Sequence, residues 1–168
     1  PVIRKLAEKV SGGYYWLCRR DTNSLVLAFP YAAGQPEDYR ELSEKLQMKQ
    51  VDFCVVHDAG QIPDIKRYKR IVLFGYCTGT AGAMKAAEML QKKGMPVKGM
   101  VLCAAVPPGR IGIKTGSPWR VAGDPFISRF IDYLHGYPVY MKHASVVQFR
   151  RDTDIFFRYF AKRRPPLS

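Results

Sequence analysis

Short runs of consecutive apolar residues alternate with amphipathic stretches along most of this chain. YYWLC (14–18) and SLVLAF (24–29) read as strands, and the turn-rich Asp21-Thr22-Asn23 between them predicts a hairpin. VDFCVV (51–56), IVLFG (71–75) and VKGMVLCAAV (97–106) are dominated by consecutive apolar residues, the mark of strands buried on both faces. Between them lie helical stretches. PEDYRELSEKLQ begins at Pro36 and sets Tyr39, Leu42 and Leu46 on one face; its first-turn proline and early acids suit a helix start, where a missing N–H costs nothing and negative charge meets the dipole. Residues 79–93 form a second helix, rich in small side chains and closed by Gly94 with Pro96 beyond. Strand, helix, strand, helix, strand in this order predicts an α/β fold with a parallel sheet covered on both faces.

The flanks differ in character. Residues 2–10 (VIRKLAEKV) predict a short amphipathic helix closed by Gly12-Gly13. After Pro107-Pro108, residues 109–125 are loop rich in Gly and Pro. Two aromatic helices follow: Phe126, Ile127, Phe130, Ile131 and Leu134 share one face, then Val146, Phe149, Thr153, Phe156 and Phe160. These helices either pack on the sheet or form a lid over a site. At 168 residues the whole is expected to be one domain, with a core over 14–106 and lid-like helices over 107–168.

Composition narrows the function. Hydrophobic residues make up 47% and aromatics 12%, which excludes disorder as the default. No apolar run has bilayer-crossing length. Cys18, Cys54, Cys77 and Cys103 are widely spaced, with no CxxC pair and no zinc-finger histidine, so neither a metal nor a cofactor is expected. Cys54 and Cys103, in apolar runs, read as small core residues, and the pattern suits a reducing cytoplasm. The net charge of +13, from 27 Lys and Arg against 14 Asp and Glu, clusters at 66–70, 150–151 and 162–164. A basic surface favours an acidic partner such as a carrier protein or a phosphorylated ligand. Nucleic acid has charge alone in its favour, without a recognised module, and ranks last.

One motif carries chemistry. IVLFGYCTGT places Gly75-Tyr76-Cys77-Thr78-Gly79 between a buried strand and a helix, the G-x-nucleophile-x-G elbow with cysteine as nucleophile. Glycines two residues either side of Cys77 let strand and helix approach. A thiol at a helix N-terminus is expected to have a depressed pKa. FPYAAG (29–34) also joins a strand to a helix. In a hydrolase its loop gives one oxyanion-hole N–H and the residue after the nucleophile gives the other, here Ala32 and Thr78. Such donors are worth about 3 kcal/mol each. Each motif has a plainer reading, a packing cysteine at a tight turn and an ordinary strand-to-helix turn.

LAFPYAAGQPEDYRELSEKL resembles the FPHAGG or FPYAGG segment and following helix of the type II thioesterases that serve polyketide and non-ribosomal peptide synthases. IVLFGYCTGTAGAMKAAEMLQKKG and VKGMVLCAAVPP resemble their GHSMG elbow, elbow helix and next strand, and FRRDTDIFFRYF (149–160) is similar to a late lid helix. The family usually has Ser at position 77 and His at position 76. A G-x-C-x-G-G elbow also marks the polyhydroxyalkanoate synthases, longer chains without an FPYAAG-like segment. The resemblance implies an α/β-hydrolase-type domain whose later sheet strands, with the triad Asp and His, lie past the point where this sequence stops. His57, His135 and His143 match no triad position, so His57 reads as structural. The implied activity is acyl transfer from a phosphopantetheine or CoA thioester onto Cys77, with slow release for want of a base. The alternative is an incomplete hydrolase module that binds an acyl chain or carrier without turnover.

Overall fold

The computed structural model describes residues 13–105, 119, 121–135 and 142–161. The helix predicted over 2–10, most of the 109–125 loop and the side chains of Leu134, His135 and His143 lie outside the described residues. Five strands form one sheet: β1 Tyr14–Cys18, β2 Ser24–Phe29, β3 Asp52–Val56, β4 Arg70–Tyr76 and β5 Val97–Cys103. Their order is β1-β3-β2-β4-β5. β2 to β5 run parallel, while β1 is antiparallel on β3. The helices are α1 Arg40–Gln47, α2 Gly79–Lys92, α3 Asp124–His135 and α4 Lys142–Ala161.

The hairpin expected between 14–18 and 24–29 does not form. Both strands pair with β3 instead. Burial gives the reason. Leu25 to Phe29 are all buried, so β2 needs a strand on each edge and a layer on each face. Tyr14 to Leu17 stay half-buried and tolerate the outer position. Asp52, buried at the foot of β3, ties the connection down. It accepts the Arg20 N–H at 3.0 Å, the Tyr68 hydroxyl at 2.7 Å and the Arg67 guanidinium at 3.0 Å. A buried carboxylate is tolerable only when partnered in this way.

Alternation along the strands builds two layers. On one face Leu25, Leu27, Ile71 and Leu73 pack with Ala83, Ala86 and Leu90 of α2. On the other, Val26, Ala28, Phe53 and Val55 pack with Tyr39, Leu42 and Leu46. The single helix predicted over 36–47 divides into a 3-10 turn, Pro36–Tyr39, and α1, yet the predicted face is the one that packs. β5 departs from the expectation of a strand covered on both faces. Lys98, Gly99 and Val101 are exposed and Cys103 is only half-buried, so Cys103 is not the core residue its apolar run suggests. Among the described residues β5 is an outer strand of the sheet, at the opposite side from β1.

The two late helices do not lie on the sheet. Ile127 and Ile131 of α3, with Val146 and Phe149 of α4, close over Ala32 and Ala33 of the FPYAAG segment. Phe156, Tyr159 and Phe160 of α4 close on Ala81 of α2. The predicted face of α4 is buried at all five positions, Val146, Phe149, Thr153, Phe156 and Phe160. In α3 the pattern is shifted: Phe126 is 60% exposed, stacking on Trp119 with its ring centroid 6.1 Å away. The register of β2 on β4 pairs Phe29 with Gly75, so the segments following both strands emerge side by side at one sheet edge.

Candidate functional site

At that edge the chain turns from β4 into α2 through Cys77, whose φ is 51°. A side-chain-bearing residue in the left-handed region costs about 1–2 kcal/mol, so surrounding structure must hold it there. The hold is visible. The Cys77 N–H donates to the Cys103 carbonyl at 2.9 Å. The Cys77 carbonyl accepts from the Thr80 N–H at 3.1 Å and the Thr80 hydroxyl at 2.6 Å. The flanking glycines are required by space. A Cβ on Gly75 would stand 2.8 Å from Thr80 Cα, and one on Gly79 only 2.0 Å from the Phe29 carbonyl oxygen.

Cys77 is exposed, with its thiol at the start of α2. The depressed pKa expected there is not found. Desolvation by the surrounding protein pushes the thiol up, and the opposing pull of the Thr78 N–H does not cancel it. The helix N-terminus contributes one amide to the sulfur, and the groups shifting this thiol include no charged side chain.

The FPYAAG segment lies against the same turn. The position of a Cβ on Gly79 is also 2.5 Å from the Pro30 carbonyl oxygen, so the start of α2 and the end of β2 meet backbone to backbone. Tyr31 and Tyr76 pack edge to face, centroids 5.9 Å apart. The Gly34 N–H donates to the Tyr31 carbonyl at 2.8 Å, closing a turn with Ala32 and Ala33 at its centre. Ala33 has φ 61°, the pattern of a type II turn, which favours glycine at that position. Ala32 and Ala33 are both buried, under α3 and α4. Thr78 is half-buried, and its Oγ1 has no hydrogen-bond partner.

A small cleft opens beside this turn. Its walls include Pro30, His57, Thr78, Gly79, Lys85 and Asp152, and its volume is about 50 Å³. That is too small for an acyl chain, since small-molecule sites run to roughly 300–1,000 Å³. His57 follows β3, as its sequence position implies, and it joins the cleft. Its Nδ1 faces Gln148 Nε2 of α4 at 3.3 Å, while its Nε2 is buried without a partner. Burial first, then the Arg151 charge, lowers its pKa to about 4, against a smaller opposing effect of Asp38. Asp152 accepts the Ala33 N–H at 3.3 Å through Oδ2 and pairs with Arg151 through Oδ1 at 3.2 Å. Burial raises its carboxyl to about 6 despite Arg151, the Ala33 amide and the Gln148 side chain, which all favour the charged form.

Sequence reasoning missed Gln148 and Asp152. The available signal was their spacing: four apart on α4, they flank the buried stripe of Phe149 and Thr153, so a polar pair at a buried boundary was legible. The basic clusters are less free than the sequence implies. Arg67 binds Asp21 and Asp52 and lies over the Tyr68 ring. Arg150 donates to the carbonyls of Trp119 and Ala122 and to Asp124, joining the start of α3 to α4. The 162–164 cluster lies outside the described residues.

No family model matches this chain, and no curated protein matches it. Solved structures do. The thioesterase RedJ, of the prodiginine pathway of Streptomyces coelicolor, superposes with a TM-score of 0.65 at 21% identity. That match covers 87% of this chain and 68% of RedJ. The chain thus shares the α/β-hydrolase-type fold of that thioesterase. BorB, the type II thioesterase of the borrelidin cluster, matches with a TM-score of 0.60 at 17% identity, covering 91% of this chain and 72% of BorB. The surfactin-cyclising thioesterase domain SrfTE matches at 0.57 and 17%, covering 87% of this chain and 65% of SrfTE. The chain therefore spans about two thirds of the length of these thioesterases. Among the described residues no helix is long and apolar enough to cross a membrane.

Proposed function

We propose that this chain carries a thioesterase-like acyl-transfer site in which Cys77 takes an acyl group from a thioester. The observation that carries the reading is the turn itself. A side-chain-bearing residue at φ 51° stands between two glycines that have no room for a Cβ, in a thioesterase fold. The thiolate attacks the acyl carbonyl, the donor's C–S bond breaks, and the acyl group passes to Sγ as a thioester of nearly equal energy. The backbone N–H groups of Ala32 and Thr78 are the proposed oxyanion donors.

The proposed donor thioester is carried on phosphopantetheine or CoA, in the cytoplasm. An acidic carrier protein suits the net charge of +13. One observation favours the second reading, an incomplete module that binds without turnover: burial raises the thiol pKa instead of lowering it. Intact-mass analysis after incubation with an acyl-CoA separates the two. One acyl adduct, absent from Cys77→Ala, is the expected result, and no adduct at any pH up to about 9 overturns the acyl-transfer reading.

A further inference from the structure

The crossover from β3 to β4 lacks the element that usually makes such a connection. Parallel strands are most often joined through a helix lying on the sheet. Residues 57–69, which join these two, form turns and extended chain without a helix. They still supply Ala59, Ile65 and Tyr68 to the core shared with α2. What they leave open is a groove of about 540 Å³ between residues 60–66 and the C-terminal end of α2. Its lining is mainly apolar. Pro63, Ile65 and Leu90 are buried parts of it, while Ile62, Met89 and Met95 are only half-buried. Hydrogen bonds fix both walls. On the α2 side the Lys93 and Met95 N–H groups donate to the Leu90 carbonyl at 3.1 and 3.0 Å. On the other side the Tyr68 N–H donates to the Ile65 carbonyl at 3.1 Å, and the Lys66 N–H to Asp64 Oδ1 at 3.2 Å.

We propose that this groove docks an acidic amphipathic helix of the protein that carries the thioester. This rests on the acyl-transfer reading above and adds a partner surface to it. The groove lies beside α2, in the layer a crossover helix would have filled, and that shape suits a helix laid into it. Half-buried methionines adapt to the side chains of a partner. Charge completes the fit. Lys66 on one wall and Lys93 on the other are exposed, and among the described residues neither forms an ion pair. Asp64, between them in the lining, is turned to the Lys66 N–H. Lysines on both walls suit a row of carboxylates better than the one carboxylate of a fatty acid. A second copy of this chain, with its own net charge of +13, is repelled. The apolar side of the docked helix covers Ile62, Met89 and Met95, while its flanking carboxylates meet Lys66 and Lys93. α2 joins docking to chemistry. The ten steps from Gly79 to Met89 rise roughly 15 Å, a span for a flexible phosphopantetheine arm.

The test separates docking from loading. The probe is an acidic acyl carrier protein bearing a butyryl thioester, titrated into the chain with isotope-labelled methionine methyl groups. The Met89 and Met95 signals are expected to shift, while that of Met48, 85% exposed and outside the groove, stays in place. Lys66→Glu/Lys93→Glu should weaken carrier binding at least about tenfold, and Lys49→Glu/Lys98→Glu, the same charge change outside the groove, by less than about threefold. Equal losses in the two mean diffuse attraction to a basic surface and overturn the proposal. Decanoate shifting Met89 and Met95 where the carrier does not assigns the groove to a fatty carboxylate, and shifts that follow the concentration of the chain alone assign it to a second copy; either result overturns the proposal. Loading of Cys77 from the butyryl thioester of N-acetylcysteamine needs no carrier, and it should stay within about twofold of wild type in both double variants. Loading from that small thioester without any carrier binding overturns the docking site alone. Carrier binding at the groove with no loading from either donor sinks acyl transfer and leaves the docking site standing.

Discussion

Asp152 accepts the Ala33 N–H at 3.3 Å across 119 positions of sequence, tying α4 to the loop beside the elbow. The tie uses a carboxyl that burial holds at about 6 against an ordinary 3.8. Between those values the folded chain keeps a proton that the unfolded chain has released, so stability falls as pH rises through the window. Above pH 6 the cost is on the order of 3 kcal/mol, an upper figure for a side chain that is 14% exposed. Asp152→Asn removes the charge and keeps an acceptor. Its melting temperature is expected to exceed wild type by several degrees near pH 7 and to match it near pH 4. Equal values at both pH settings count against a buried, costly carboxylate.

His57 carries the opposite sign. Its folded pKa, about 4, lies below the ordinary 6.5, so the unfolded chain binds a proton first and stability falls as pH drops from 6.5 towards 4. Between about 4 and 6 the two groups oppose each other, and wild type should show little net dependence there. Each substitution exposes the other group. Asp152→Asn should lose stability on acidification, and His57→Gln should gain it. Both contact Gln148, so the double variant need not show the sum. Thermal melts across pH 4–7 check the crossing, and two parallel curves would remove it.

The sequence made the sheet legible because its strands are continuous apolar runs and its elbow needs glycine at two fixed positions. Leu25 to Phe29 read as a strand and are buried throughout, and Gly75 and Gly79 have no room for side chains. The hairpin was misread for a physical reason. A local turn signal at 21–23 says nothing about whether β3 will take both neighbours. The cleft was hidden likewise, since His57, Thr78 and Asp152 meet only after α4 folds back over α2. The thiol pKa was misjudged because helix position is local, whereas desolvation depends on the packing around Cys77.

Cysteine labelling checks that last point. Cys77 is exposed, while Cys54 is fully buried with its thiol pushed up to about 12. Iodoacetamide should therefore modify Cys77 well before Cys54. Accessibility is the cause, not acidity, so the rate at Cys77 should still be rising at pH 9. A plateau reached below about pH 8 would mean a thiolate stabilised by a group not seen at the elbow.

The closeness of β2 and α2 is tested by the same substitution at two glycines. Gly94 closes α2 at φ 64° with nothing within 4 Å of an added Cβ, so Gly94→Ala should cost about 1 kcal/mol for the left-handed backbone alone. Gly79 is unlike it. An added Cβ would stand 2.0 Å from the Phe29 carbonyl oxygen, 2.5 Å from Phe29 C and 2.5 Å from the Pro30 oxygen. All three are backbone atoms. Phe29 is held by its pairing with β4, and Gly79 by the helix it begins, so neither side can yield by rotating a side chain. Relief requires β2 and α2 to part, which breaks the packing of Leu27 and Phe29 with Ala83 and Ala86. Gly79→Ala is therefore expected to cost more than about 4 kcal/mol or to abolish folding. Thermal unfolding of the two variants side by side decides it. If both melt within about 3 °C of each other, β2 and α2 do not meet backbone to backbone and the elbow assignment of Cys77 falls with them.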